Sequence, residues 1–279
     1  MMLPKEFRNT VIDRSIELLW NSWRNLGAWI NVSQEYSIYS DPESAIVFSN
    51  YFDNFEPRLK VISNDWQISY SSYVYQVRLK RLKSQLSRLT GFMSTLQPED
   101  SKSVSKNIGS LNTLNKFNLL PRLRLIFGLS SKAEVIFYLL THEAGNSSKI
   151  SRNRLLNQKA VYNELDKLSK ANVVEEKRLG RERSFSLSKS FSNLFLSEPE
   201  RVSVNWLLLS SAYLINNVLK DSIIDNEYLV FSAFMDHNKQ INHLLQMVGY
   251  CRKFIKNNTA EELYNSVVSY YEGLFDMMK

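Results

Sequence analysis

NQKAVYNELDKLSKANVVEEKRLGRERSFSL, residues 157–187, reads as a helix, a turn, a strand, a tight basic loop and a returning strand. Val161, Leu165 and Leu168 fall at i, i+4 and i+7, which places them on one buried helical stripe. Lys159, Asn163, Asp166 and Lys170 point the opposite way, with Tyr162 and Lys167 on the flanks. Asn157 stands at the N-cap, where its side-chain oxygen can accept from a free N–H of the first turn. The helix is expected to end near Ala171 and Asn172, and asparagine is the commonest non-glycine residue for a left-handed helix stop. Val173 and Val174 then open a strand, Gly180 marks the hairpin tip, and Phe185 and Leu187 alternate on the return.

Working outward, Ser131–Gly145 (SKAEVIFYLLTHEAG) carries Val135, Ile136, Leu139 and Leu140 at helical spacing, with Gly145 as its stop. Ser147 or Ser148 can cap a short second helix, KISRNRL, that turns Ile150 and Leu155 inward. Leu155-Leu156-Asn157 has the length of a helix-turn-helix joint. The residues SKISR from Ser148, LNQKAVYNELDKLSKANVV from Leu156 to Val174, and the hairpin after them resemble a winged helix-turn-helix domain of small prokaryotic transcriptional regulators. Asn172 stands where that family most often has glycine. The resemblance covers about a fifth of the chain and implies sequence-specific binding of double-stranded DNA. Recognition helix 158–171 would enter the major groove, and the basic wing 175–185 would reach adjacent phosphates. On that implication Gln158, Lys159, Tyr162 and Asn163 read base edges, since Asn and Gln pair bidentately with adenine. Ser148, Lys149, Arg152, Lys167, Lys170, Lys177, Arg178, Arg181 and Arg183 complete the DNA-binding set, the cations holding phosphates.

Net charge is +7 over 279 residues, but its distribution says more than its sum. Residues 74–130 carry ten basic against two acidic side chains, and 131–190 twelve against seven. Residues 1–73 and 191–279 are both net acidic. A basic block is an electrostatic footprint for nucleic acid, and equally the signature of a solvated helix face.

The fold class expected is mainly α: a helical N-terminal domain (1–96), a linker (97–116), the winged domain (117–190) with its small β-hairpin, and a helical C-terminal region (191–279) for dimerisation or packing. Eight glycines and six prolines argue for long helices over a loop-rich β fold. Val11, Ile12, Ile16, Leu19, Trp20, Trp23 and Leu26 outline a first amphipathic helix ended or bent at Gly27, with Trp20, Trp23 and Trp29 read as core packing ahead of a hydrophobic ligand wall. Asp41-Pro42-Glu43 starts a second helix as N-cap, N1 proline and first-turn acid. Tyr75, Leu79, Leu82, Leu86 and Leu89 make a heptad-like stripe, for packing on the N-terminal helices or for a dimer seam, while Arg78, Lys80, Arg81, Lys83 and Arg88 occupy the other faces. Residues 118–127 form a helix whose Arg122 and Arg124 support the winged unit or bind phosphate. The polar 97–116 stretch, with Lys102, Lys106 and Lys116, reads as a mobile connection. Helices are expected around 204–220, 227–255 and 260–278. LLWNSWRNLG, DPESAIVFS and PRLKVISNDW ahead of a basic helix also resemble an uncharacterised group of prokaryotic proteins with a helical region before a winged helix, to which no activity attaches.

Little in the chain is arranged for catalysis. His142, His237 and His243 are the three histidines, no carboxylate cluster joins them, and neither G-x-S-x-G nor a phosphate-cradling glycine loop is present. The single Cys251 excludes an intrachain disulfide, reads as an inert thiol and favours a reducing cytoplasm. The polar start lacks an apolar leader, and Val204–Leu219 is too polar to span a bilayer, so no membrane role is expected. The expectation is a non-enzymatic, cytoplasmic DNA-binding regulator without cofactor or metal, with a homodimer as one arrangement. Two other classes stay open: a scaffold whose winged helix binds a protein partner, and a non-specific DNA-binding accessory of replication or defence.

Overall fold

The computed structural model describes residues 2–90, 108–180, 182–195, 206–248 and 259–277. Four helices come first: α1 (Pro4–Asn25), α2 (Pro42–Tyr51), α3 (Arg58–Tyr70) and α4 (Gln76–Thr90). The central part holds α5 (Leu119–Phe127), α6 (Ser131–Thr141), α7 (Ser147–Arg154), α8 (Gln158–Lys170), β1 (Val174–Leu179), β2 (Glu182–Leu187) and the short α9 (Lys189–Ser192). Then come α10 (Trp206–Val218), α11 (Glu227–Asp236), α12 (Asn238–Val248) and α13 (Ala260–Met277). The protein is mainly helical, with one two-stranded antiparallel hairpin.

Two apolar cores organise these elements. The larger joins α1–α4 to α10–α13, so the two ends of the chain form one body. Trp23 and Trp66 meet at its centre with ring centroids 5.8 Å apart. Their indole N–H groups donate to Ser49 Oγ (2.8 Å) and the Leu26 carbonyl (2.9 Å), so neither ring leaves a buried donor unpaired. Phe7 of α1 stands edge-on to Tyr264 and Tyr271 of α13. Packing is therefore a use this fold makes of the C-terminal helices. The stripe Leu79, Leu82 and Leu86 is buried in the same body, with α4 against α2.

The smaller core belongs to α5–α8 and the hairpin, and it also takes in Tyr39 from the segment before α2. Tyr39 stands edge-on to Phe137 with centroids 6.0 Å apart. In return Leu155, from the α7–α8 turn, packs against the larger core. Each core thus receives a side chain from the other's segment.

Several expectations need correction. Residues 108–116 are tied to the N-terminal helices: Ile108 bridges Ala28, the Gly109 N–H donates to the Gly27 carbonyl (2.8 Å), and the Tyr70 hydroxyl donates to the Gly109 carbonyl (2.6 Å). Asn118 adds bonds to the carbonyls of Asn25 and Asn112. The polarity of this stretch serves hydrogen bonding to a neighbour; Lys102 and Lys106 lie outside the described residues. Trp29 is exposed, unlike the buried Trp23. The long helix expected at 227–255 breaks at His237, which caps α11 and accepts at its carbonyl from the N–H groups of Gln240 and Ile241. Cys251 lies outside the described residues.

Candidate nucleic-acid interface

The helix α8 forms as its spacing dictates. Val161, Leu165 and Leu168 are buried, and Asn157 Oδ1 accepts from the N–H groups of Lys159 (2.9 Å) and Ala160 (3.2 Å). At its other end Asn172 adopts φ 56°, its N–H bonds the Ser169 carbonyl and the Val173 N–H bonds the Leu168 carbonyl. This is the paired Schellman stop, with asparagine in the left-handed position where glycine is usual. In α7 the cap is Asn146 rather than either serine: its Oδ1 accepts from Lys149 N–H at 2.7 Å, and its amide also meets Glu182 of the wing.

The hairpin is docked on the helices through Gly145. Gly145 and Phe185 exchange both backbone hydrogen bonds at 2.9 Å, a bridge that adds a third short strand position to the sheet. A Cβ on Gly145 would lie 2.6 Å from the buried Tyr138 ring and 3.1 Å from Ile150, so only glycine fits there.

The outer surface of α8 presents Gln158, Lys159, Tyr162, Asn163, Lys167 and Lys170, all exposed. Lys167 pairs with Glu164 (2.9 Å) and Lys170 with Asp166 (2.8 Å) along the helix. Lys149, Arg152 and Lys177 are exposed beside it, and none of them forms an ion pair among the described residues. Arg152 donates to the Ser148 carbonyl at 3.4 Å, and Ser148 itself is half-buried. Arg181 lies outside the described residues.

Arg183 does something the sequence did not announce. The register sets Glu176 opposite Phe185 and Arg178 opposite Arg183, so these four side chains share the face turned to α8. Arg183 Nε donates to Glu176 Oε1 (2.8 Å) and its Nη1 to the Tyr162 hydroxyl (2.9 Å), while the guanidinium lies over the Tyr162 and Phe185 rings. Hydrogen bonds from Arg183 and then Arg178 hold the Glu176 carboxyl down to about 2. Arg183 is thus a strut between the hairpin and α8, with much of its donor capacity already used.

Below this surface the α7–α8 turn is clamped to the body. The last carbonyls of α7 lack helical partners, and the body supplies them: Trp206 Nε1 donates to Asn153 (2.8 Å), Arg78 to Arg154 (3.2 Å) and Arg81 to Leu155 (3.2 Å). Leu155 is held at φ 56°, left-handed for a residue that rarely adopts it.

Arg78 also belongs to a buried cluster of six charges. Its two Nη atoms reach both oxygens of Asp41 at 2.5 Å, and Nη1 reaches Glu43 at 2.5 Å. Arg124 bridges Glu43 (2.7 Å) and Glu134 (2.6 Å). Arg154 joins Glu134 (2.6 Å) to Asp41 (3.3 Å) and stacks on Phe137. Three arginines balance three carboxylates, and every member is at most 5% exposed. Burial pushes the Glu134 carboxyl up, but Arg124, Arg154 and Arg78 outweigh it and hold the group down to about 2. Asp41 is likewise held well below the carboxylate range by Arg78 and Arg154 against the pull of burial. Arg78 and Arg124, expected on outer faces or at phosphates, are therefore interior residues. Part of the basic character of residues 74–130 never reaches the surface.

No family model, curated protein or solved structure matches the chain. Among the described residues no group of three or more His, Cys, Asp or Glu is placed to hold a metal ion, and no helix is long and apolar enough to cross a membrane.

Proposed function

We propose that the protein binds double-stranded DNA through α8 and the hairpin, and that it acts as a sequence-specific transcriptional regulator. One observation carries the reading. The exposed face of α8 combines Gln158, Lys159, Tyr162 and Asn163 with a flanking wing that carries Lys177 and Arg178, on a unit whose turn is clamped from behind. Amide side chains at the start of a projecting helix suit base edges in the major groove, and the cations around them suit phosphates. Clamping holds the readers in one orientation, which lowers the ordering cost of binding.

The test is selection of bound duplexes from a random pool by the purified protein, followed by anisotropy titration on the selected duplex and a shuffled one across a salt series. A preference of about a thousandfold or more supports the regulator. Equal, salt-sensitive affinity for both duplexes replaces it with a non-specific DNA-binding accessory. No binding at low salt removes DNA and leaves the scaffold for a protein partner.

A further inference from the structure

At the far end of α4 from the clamped turn, an open cleft of about 820 Å³ is bounded by α4, α10, the turn at 220–223, α11 and the start of α12. That volume lies within the range of small-molecule sites, which combine apolar walls with a few convergent polar groups. Leu89, Leu214, Val218 and Ile223 supply the apolar lining. Arg88 and Lys220 stand at its rim, exposed and without an ion pair among the described residues. His237 also faces it; the ring Nδ1 is bonded to the Ala233 carbonyl at 2.9 Å, which leaves Nε2 as the nitrogen a ligand can meet. Asn217 and Gln240 add neutral polar groups, and no described carboxylate lines the space.

Two exposed cations over an apolar floor, with no carboxylate among the described residues to neutralise them, select for one ligand chemistry. We propose that the cleft binds an amphipathic organic anion, with a carboxylate, sulfonate or phosphate head at Arg88 and Lys220 and an aliphatic or aromatic body on Leu89, Leu214, Val218 and Ile223. Neutral ligands of the same shape gain only the apolar contact, and cations are repelled. Arg88 and Arg81 lie on one side of α4, two turns or about 10 Å apart. A ligand at Arg88 therefore bears on the same helix that clamps the α7–α8 turn. The site itself does not rest on the DNA reading and is tested without DNA.

The probes are 1-anilinonaphthalene-8-sulfonate and the uncharged N-phenyl-1-naphthylamine, titrated by fluorescence into the full chain. Wild type is expected to bind the sulfonate saturably at one site, and Arg88→Gln/Lys220→Gln to bind it at least tenfold more weakly. The uncharged probe is expected to change less than twofold between them. Lys5→Gln/Lys132→Gln, which removes the same charge elsewhere, is expected to bind like wild type. All four positions lie outside the buried core, so folding, followed by circular dichroism and thermal midpoint, is expected to be retained. Absence of saturable sulfonate binding, or the same affinity in both double variants, overturns the proposal.

Discussion

Arg183 and Lys177 are both cations of the hairpin, yet they occupy different situations. Lys177 lies on the exposed face with no ion pair among the described residues, whereas Arg183 is engaged by Glu176, Tyr162 and two rings. On the DNA reading, Lys177→Ala is expected to weaken binding uniformly across sequences and lower the salt slope by about 1. Arg183→Ala is expected to release Tyr162 and so alter sequence preference, with a smaller change in slope. Identical effects of the two substitutions in paired salt titrations would remove the strut. Asn163→Ala is expected to cost about 1–3 kcal/mol at one base pair and little elsewhere; an equal loss on every duplex would end its reading role. The basic character of the wing was legible in the sequence, but its internal pairing was not. Glu176 and Arg183 meet only through hairpin register, and residue order alone does not reveal that register.

At the scale of elements, α8 was legible almost in full, because its cap, its apolar stripe and its left-handed stop are all local. The charge cluster was not, because it draws on five helices and the segment before α2. A weaker signal does exist. Arg78, Arg124, Glu134 and Arg154 each stand four residues from a buried apolar or aromatic residue on the same helix, namely Leu82, Leu120, Tyr138 and Ile150. Such charges sit beside the stripe, and whether they turn in or out depends on partners elsewhere. Desolvating six charges makes the cluster a weak source of net stability, while removing one member strands its partners. Arg78→Met is therefore expected to destabilise the protein by about 3–5 kcal/mol, read as a shift in denaturant midpoint. Trp206→Phe loses the bond to the Asn153 carbonyl and part of a buried indole, and is expected to cost about 2–3 kcal/mol. A midpoint for Arg78→Met within error of wild type would show that the cluster does not hold the elements together.

For the whole molecule, buried ionisable groups set two windows of acid sensitivity. His142 stacks on Tyr138 at 4.0 Å, and burial pushes its imidazole down from 6.5 to about 4. The folded state then binds fewer protons than the unfolded one between those values, so stability falls as pH drops through that range. The depressed Glu134 works in a lower window: its contribution is complete above its ordinary value of 4.5 and is lost towards about pH 2. Denaturant melts at successive pH values are expected to show the first decline begin near 6.5, and His142→Gln to flatten it. An unchanged profile in that variant would rule out the histidine as its source. The two-core plan has a further consequence. Excised alone, residues 117–190 would keep Arg124, Arg154 and Glu134 but lose Asp41, Glu43, Arg78 and the Tyr39 ring. Such a fragment would hold two guanidiniums against one carboxylate in an interior opened to water. Residues 117–190 are therefore not a transplantable module: grafted onto another scaffold they would arrive with their counter-ions left behind.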